Sequence, residues 1–307
     1  MISCFTILIP THGRATLLGR TLASLAECSI PEGYVETVVI ENGPKSGAED
    51  TVAAASSQWP HLTLRYLHVP RANKNHALNE ALNAVGSGLL IFFDDDVRIQ
   101  ANALEAYAAA AKGVSGGAYF GGPVAPDFEH RPAEWRMATL PASVRGWRQE
   151  SEKDAWHLFL GANWAAFRSD ILAVGGFDKD RGPGSPSGST GQESDMQVRL
   201  TAAGVRRVYV PGALVWHYIP RERCSMSWAL KRAYRTGTEK GILEGDAFAP
   251  GMGRPAFFVA RTTLKTGLRL AKYGLKFDAS GMWHALYHGV RSMGALNGYR
   301  IRRSRAV

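Results

Sequence analysis

The apolar run 89–93 constrains this chain most, because it passes directly into three adjacent carboxylates, Asp94, Asp95 and Asp96. Open α/β sheets bind their ligands outside the carboxyl ends of the strands. The run therefore predicts a buried strand that delivers charge to a binding site. Three adjacent carboxylates repel one another, which favours a divalent cation among them over the alternative of a solvated acidic turn.

Strand-like apolar runs alternate with helical patterns in the first part of the chain. The runs 4–10, 35–40 and 62–69 predict strands, and the patterns 15–26 and 73–85 predict helices. The first two runs pass directly into polar or turn residues, as the run 89–93 does. Strands that alternate with helices predict an α/β fold with a mainly parallel sheet.

Length and composition permit one large globular domain with an appendage. The chain has 307 residues, of which 45% are hydrophobic, enough for a substantial core. Its three cysteines, Cys4, Cys28 and Cys224, have no CxxC spacing and predict free thiols in a reducing compartment. We expect no signal peptide and no apolar run of about 18 residues that would span a bilayer. A cytoplasmic location follows as the expectation.

The positive charge is concentrated at the end of the chain. Residues 254–307 contain 11 Lys and Arg and a single acid, Asp278, a net charge of +10 against +9 for the whole chain. Five of these basic residues fall at spacings of four, four, three and four and so share one helical face: Arg261, Lys265, Arg269, Lys272 and Lys276. The pattern is typical of a helix on an anionic membrane surface, and also of a solvated helix packed on the catalytic domain. Nucleic acid is not expected as a partner, because no recognition motif is present.

Several short motifs follow one another in a fixed order. They are Ile9-Pro10-Thr11 with Arg14, Glu41-Asn42-Gly43, Asn73-Lys74, Asp94-Asp95-Asp96, Gly161-Ala162-Asn163, Gly175-Gly176-Phe177-Asp178, Gln192-Glu193-Ser194-Asp195 and Trp216-His217. In this order they resemble a family 2 glycosyltransferase of the GT-A fold, over about residues 3–220. The resemblance implies a Rossmann-like, mostly parallel sheet flanked by helices. It also implies transfer of a sugar from a nucleotide-diphosphate donor, with inversion at the anomeric carbon.

The resemblance further implies which residues bind the nucleotide sugar: Pro10, Thr11, Arg14, Glu41, Lys74, Asp94, Asp95, Asn163 and Trp164. Glu41 stands where the family commonly has an aspartate that accepts a hydrogen bond from the base, so UDP- or dTDP-sugars are the expected donors. Asp96 is implied as a metal ligand, with His217 as a second one. Oxygen ligands suit Mg²⁺ or Mn²⁺, and an imidazole favours Mn²⁺. A histidine hydrogen-bonded inside the fold is the alternative for His217.

Glu193 and Asp195 are the candidates for the catalytic base. They lie two residues apart at the start of a predicted helix, 194–203, so they cannot face the same substrate atom. The resemblance places Glu193 at the second position of a Glu-Asp pair that reads Gln192-Glu193 here. Asp195 is expected to favour the helix N-terminus and to pair with Arg199. Glu193 is therefore the expected general base.

Two further segments are candidates for contacts around the donor. Residues 182–191 are rich in glycine, serine and proline, which is typical of a flexible lid that excludes water from the donor. Trp135, Trp147 and Trp156 come from a less regular region. Each of these tryptophans suits stacking on a sugar and equally suits core packing.

The sequence thus predicts a GT-A catalytic domain, 1–223, and a basic helical extension, 224–307. The expected function is metal-dependent transfer of a sugar to a hydroxyl acceptor in the synthesis of cell-surface polysaccharide or glycolipid. The expected location is cytoplasmic, peripheral at the inner face of the cell membrane. A sugar nucleotidyltransferase and an inactive, membrane-associated sugar-binding or scaffold protein are the alternatives.

Overall fold

The chain divides into two compact units. The structure is a computed structural model, and it describes residues 4–151, 158–185, 191–243 and 255–305. The first unit comprises Met1–Asp127 and Arg145–Tyr218, and the second comprises Phe128–Val144 and Ile219–Val307. The predicted domain boundary at residue 223 stays a prediction, because the contacts that define a compact unit do not show that it folds independently.

The strands build one large and one small sheet. In chain order they are β1 (Phe5–Thr11), β2 (Tyr34–Asn42), β3 (Leu64–Val69), β4 (Leu89–Phe93), β5 (Val97–Ile99), β6 (Ala118–Gly121), β7 (Val124–Phe128), β8 (Asn163–Phe167), β9 (Arg206–Tyr209) and β10 (Val215–Ile219). The large sheet has the order β3-β2-β1-β4-β8-β6-β9, and the small sheet has the order β5-β10-β7. Strands β1 to β4 are parallel, and β8 runs antiparallel between β4 and β6. The carboxyl ends of β1, β2 and β4 therefore meet at one edge.

Helices connect these strands and continue beyond them. In chain order they are α1 (Ala15–Ala26), α2 (Ala48–Gln58), α3 (Lys74–Ala84), α4 (Ala103–Ala110), α5 (Glu134–Met137), α6 (Ala142–Arg145), α7 (Arg168–Ala173), α8 (Gln192–Ala202), α9 (Met226–Leu243), α10 (Pro255–Gly274) and α11 (Ala279–Arg305). The predicted mostly parallel sheet, its flanking helices and the C-terminal helical extension are confirmed. The helix predicted over 194–203 is α8, which begins two residues earlier, directly after Gly191 at φ +86°, and ends at Ala202.

The inner strands β1, β4 and β8 of the large sheet are buried on both faces, which explains why they are largely apolar. Successive residues of β1 point to opposite faces. Ile7 and Ile9 join a cluster with Leu22 of α1, while Leu8 joins a second cluster with Leu78 of α3. The three cysteines are free, as predicted.

In the second unit, α9 and α11 meet through glycines. Gly237 and Gly241 lie on α9, and Gly294 and Gly298 lie on α11. A Cβ atom at Gly298 would stand 1.9 Å from the carbonyl oxygen of Thr238, so the two backbones are in direct contact. Among the described helices, none combines the length and the apolar character needed to cross a membrane.

Candidate active site

Three of the predicted polar residues meet beyond the carboxyl end of β4. Asp94 and Asp96 follow that strand, and His217 comes from β10 beside them. One ligand atom from each of the three side chains lies within 4.8 Å of the other two. The His217 Nε2 atom is 3.2 Å from Asp96 Oδ1, and both side chains are buried. Two carboxylates and an imidazole are a donor set that fits a divalent ion such as Mn²⁺.

Two basic side chains balance the three carboxylates. The Lys74 Nζ atom lies 2.5 Å from Asp94 Oδ1. The Arg14 Nη1 atom lies 3.1 Å from Asp95 Oδ1 and 2.9 Å from Asp96 Oδ2. These two predicted nucleotide-sugar ligands, Lys74 and Arg14, therefore belong to the carboxylate cluster itself.

The charges of this cluster shift its pKa values. Burial would lower the pKa of Lys74, but the charge of Asp94 raises it above the ordinary lysine value. Burial would likewise lower the pKa of Arg14, but Asp95 and Asp96 raise it. Burial and the charge of Asp96 raise the pKa of Asp95, although Arg14 and Thr11 oppose the shift. Both basic side chains are therefore charged at neutral pH.

Thr11, the last residue of β1, is hydrogen-bonded both to this cluster and to β2. The Thr11 hydroxyl donates a hydrogen bond of 2.7 Å to Asp95 Oδ2. Asn42, at the end of β2, donates through Nδ2 to the Thr11 carbonyl at 2.8 Å. The ends of β1, β2 and β4 are thereby held together beside the predicted donor site.

Glu41 lies buried at the end of β2, and its carboxylate accepts hydrogen bonds from its own chain. The Ser46 backbone N–H donates to it at 2.7 Å, the Ser46 hydroxyl at 2.5 Å and the Tyr66 hydroxyl at 2.6 Å. Burial would raise the pKa of Glu41, but these hydrogen bonds lower it below the ordinary value. The carboxylate is thus charged and fixed in position; its contact with a base stays a prediction.

Glu193 and Asp195 point in different directions from the first turn of α8. Glu193 lines a narrow pocket together with Pro10, Lys74, Asp94, Trp164 and Phe177. Its carboxyl carbon packs so closely on Gly161 that a Cβ atom there would stand 2.9 Å away. Asp195 instead pairs with Arg199 at 2.9 Å, as its spacing predicts, and with Arg181 at 3.5 Å. Of the two acids, Glu193 is the one that borders this pocket.

Asn163 and Trp164 occupy adjacent positions with different surroundings. Asn163 is fully buried; it accepts a hydrogen bond from the Tyr107 hydroxyl at 2.7 Å and donates to the carbonyls of Pro123 and Ala213. Trp164 stacks on Phe92 with ring centroids 4.5 Å apart, and it also lines the pocket. Trp164 thus borders the pocket, whereas the side chain of Asn163 is already hydrogen-bonded within the protein. The predicted contacts of both residues with the nucleotide sugar stay predictions.

The other tryptophans and the lid fall outside the pocket or outside the described residues. Trp147 packs edge-on against Phe159 and Tyr209, and Trp135 packs against Trp283. Trp156 and residues 186–190 of the predicted lid lie outside the described residues.

Three asparagines of the α3 region, for which the sequence predicted no contacts within the protein, hold the segment before the predicted lid. Asn73 donates to the Lys179 carbonyl at 2.9 Å, and Asn75 donates to the Asp178 carbonyl at 2.6 Å. Asn79 donates to the Phe177 carbonyl and accepts from the Phe177 N–H, both at 2.8 Å. The signal in the sequence is three asparagines within seven residues of a helical segment, where asparagine is a poor helix former.

Comparison with known proteins adds a family and a fold. A family model described as glycosyltransferase-like family 2 matches residues 3–237. The succinoglycan biosynthesis protein ExoM of Rhizobium meliloti (strain 1021) is 26% identical over 252 residues, which are 81% of this chain and 78% of that protein. The probable glycosyltransferase YdaM of Bacillus subtilis (strain 168) is 18% identical over 78% of this chain and 56% of its own length.

Solved structures show the same architecture. The mannosyltransferase PcManGT from Pyrobaculum calidifontis, in complex with GDP-Man and Mn²⁺, has a TM-score of 0.61 and 22% identity over 99% of this chain and 88% of its own. GalNAc-T7 with UDP, GalNAc and Mn²⁺ has a TM-score of 0.55 and 15% identity over 78% of this chain and 51% of its own. At these identities the structural likeness concerns the fold.

Proposed function

This chain belongs to the glycosyltransferase-like family 2, and on that premise we propose that it transfers a sugar from a UDP- or dTDP-sugar to a hydroxyl acceptor, with inversion at the anomeric carbon. It is a transferase with the GT-A fold. The observation that carries the proposal is one pocket that Glu193 lines together with Lys74 and Asp94, the last of which also belongs to the cluster with Asp96 and His217.

Asp94, Asp96 and His217 would hold a divalent cation, Mn²⁺ or Mg²⁺. Two structural neighbours are described as complexes with Mn²⁺, which supports this assignment. A cation bound there supplies neutralisation of the charge that develops on the departing diphosphate. Lys74 and Arg14 are charged at neutral pH in the same cluster, and we assign them contacts with the diphosphate.

The remaining donor contacts come from the ends of β1, β2 and β4. Pro10 and Thr11 lie at the end of β1, and Glu41 lies at the end of β2. We assign the Glu41 carboxylate a hydrogen bond from the imide of uracil or thymine. We assign Asp94 and Asp95 contacts on the ribose side of the nucleotide, for Asp94 in addition to its place in the cation site. Trp164 and Asn163 complete the proposed site on β8. Because the Glu41 carboxylate is charged and fixed in position, it suits a base that donates a hydrogen bond to it, as uracil and thymine can.

Glu193 is the proposed general base. It takes the proton of the acceptor hydroxyl as the hydroxyl oxygen attacks the anomeric carbon, and the nucleoside diphosphate leaves from the opposite face with the bonding electron pair. Asp195 is bound by two arginines and holds the start of α8 in place. Single displacement by an oxygen on the opposite face gives inversion.

The acceptor and the location extend the proposal. Because ExoM is a succinoglycan biosynthesis protein, we assign this chain to the synthesis of a cell-surface polysaccharide or glycolipid. The basic segment 254–307 supports a cytoplasmic reaction at the inner face of the cell membrane.

Donor binding tests the proposal. Thermal stabilisation is measured with UDP-, dTDP- and GDP-sugars in the presence of Mn²⁺, Mg²⁺ or chelator, on the wild type, Asp96→Ala and the exposed control Asp50→Ala. We expect one donor to stabilise the wild type and the control only with a divalent ion, and to leave Asp96→Ala unchanged. Stabilisation by nucleoside triphosphates in the same assay, without stabilisation by any nucleotide sugar, would indicate a nucleotidyltransferase. No response to any of these compounds would indicate an inactive scaffold.

A further inference from the structure

Helix α10 turns an apolar stripe toward solvent. Phe257, Leu264 and Leu268 are 63%, 64% and 63% exposed, and Leu275, directly after the helix, is 85% exposed. Their spacings of seven, four and seven residues place all four on one line along the helix. A surface helix of a globular protein normally directs its apolar side chains to the core.

The opposite face of α10 is the one that packs on α11. Thr266 lies so close to α11 that a Cβ atom at Gly289 would stand 2.7 Å from its hydroxyl oxygen. The packing of the helix therefore leaves the apolar stripe uncovered by α11. Burial within the second unit does not explain these side chains.

The turn between α10 and α11 exposes a further aromatic residue. Phe277 is 95% exposed and adopts φ +51°, the only positive φ of a non-glycine residue in the described ranges. The Phe277 N–H donates to the Gly274 carbonyl, and the Asp278 N–H donates to the Tyr273 carbonyl. This pair of hydrogen bonds ends many helices, and the residue at the position of Phe277 is then usually glycine. Neither backbone preference nor burial accounts for a phenylalanine here.

A basic groove runs beside the stripe, between α10 and α11. It is a cavity of about 260 Å³ lined by Arg261, Lys265, Arg269, His288 and Ser292 among others. No ion pair joins any of the three basic residues to a carboxylate within the described part of the chain. Burial, together with the charges of Arg291 and Arg269 and the neighbouring His284, lowers the pKa of His288, as expected where the potential is positive. The groove suits a phosphate group.

We propose that α10 and the following turn bind the surface of an anionic phospholipid bilayer. The stripe with Leu275 and Phe277 enters the boundary of the acyl chains, and the groove and its neighbours Lys272 and Lys276 contact headgroup phosphates. An apolar line flanked on one side by basic residues, with Asp278 as the single acid of 254–307, fits this partner better than a protein surface. The inference goes beyond the transfer reaction and gives the proposed membrane location a defined surface.

Vesicle flotation of the full-length protein tests the proposal without any donor, so its outcome is independent of the proposed transfer activity. Vesicles of phosphatidylcholine alone are compared with vesicles that also contain phosphatidylglycerol. We expect binding only to the anionic vesicles, weakened by salt. Lys265→Ala with Arg269→Ala should weaken it on the order of 25-fold, at about fivefold per charge. The matched control, Lys112→Ala with Arg206→Ala, removes two exposed charges of the first unit and should bind as the wild type does.

Two apolar variants separate membrane binding from folding. Leu264→Ser with Leu268→Ser should weaken binding at least about tenfold, because both side chains lose their burial in the acyl boundary. Phe277→Gly should weaken binding while its melting temperature stays equal or rises, because glycine suits the positive φ. Equal binding by all variants would overturn the proposal. It would also be overturned if light scattering showed a stable wild-type dimer that is lost in Leu264→Ser with Leu268→Ser, because a second copy of the chain would then cover the stripe.

Discussion

Replacing Arg14 by methionine tests whether charge balance holds the carboxylate cluster together. The substitution keeps much of the side-chain volume and removes one positive charge. Arg14 lies 3.1 Å from Asp95 and 2.9 Å from Asp96, whose side chains are only 6% and 3% exposed. Two buried carboxylates would then face each other with less compensation.

The magnitude follows from burial. Breaking a fully buried ion pair costs about 3–5 kcal/mol because it leaves an uncompensated charge. Arg14 itself is 40% exposed, so water screens part of its interaction, and we expect a loss of about 1–3 kcal/mol in unfolding free energy. A divalent cation supplies the missing positive charge and should restore part of this loss.

Urea denaturation in chelator and in Mn²⁺ measures both effects. Arg20→Met in α1, the helix that Arg14 directly precedes, is the matched control, because Arg20 and its partner Asp127 are both substantially exposed, 3.6 Å apart. The control should lose less than about 1 kcal/mol and should not respond differently from the wild type to the ion. An equal loss in both variants, or a loss in Arg14→Met that Mn²⁺ leaves unchanged, would show that the charge of Arg14 does not stabilise the carboxylate cluster.

The other predictions concern stability and the lid segment. Gly298→Ala places a Cβ atom 1.9 Å from the Thr238 carbonyl oxygen and should cost at least about 1–3 kcal/mol in thermal unfolding. The control Gly267→Ala has open space at its Cβ position and should not destabilise the protein. Equal effects of the two substitutions would contradict the close contact of α9 and α11. Because the folded pKa of Glu41 is lowered, its stabilisation is fully present above the unfolded pKa of about 4.3 and is lost as pH falls through the folded pKa. Glu41→Gln should therefore cost about 1–3 kcal/mol at neutral pH in denaturant titrations and progressively less in acid; a pH-independent difference would exclude the charge as the cause. Asn79→Ala removes both hydrogen bonds to Phe177. It should lower the free energy of unfolding by about 1–3 kcal/mol and speed amide hydrogen exchange at 177–181. Unchanged exchange there would show that the asparagines do not hold the segment.

Local patterns predicted β1 to β4, α1 and α3, and the edge of the sheet at which the candidate site lies. The runs that became β1, β2 and β4 are apolar because both faces of the sheet are covered, and each ends in polar residues. Parallel strands bring such ends to one edge, so Thr11, Glu41 and Asp94 could be placed together from the sequence. The pairing of Asp195 with Arg199 could be predicted as well, because it depends only on helical spacing.

Contacts between distant parts of the chain could not be predicted in this way. The asparagines of α3 bind carbonyls about 100 positions later, and nothing in local spacing identifies these partners. The hydrogen bond from Tyr66 that fixes Glu41 crosses between neighbouring strands and depends on their register. The direction in which the apolar residues of α10 face likewise depends on where α11 packs.

The rate of a single turnover of sugar transfer distinguishes Glu193 from Asp195 as the general base. Glu193→Gln and Asp195→Asn are compared with the wild type at saturating donor and divalent ion, with donor affinity measured separately by calorimetry. We expect Glu193→Gln to bind the donor as the wild type does but to transfer sugar about 10²–10⁴-fold more slowly, while Asp195→Asn should retain most of its rate unless α8 is displaced. Wild-type rates in Glu193→Gln, with the large loss in a folded Asp195→Asn, would make Asp195 the base instead of Glu193.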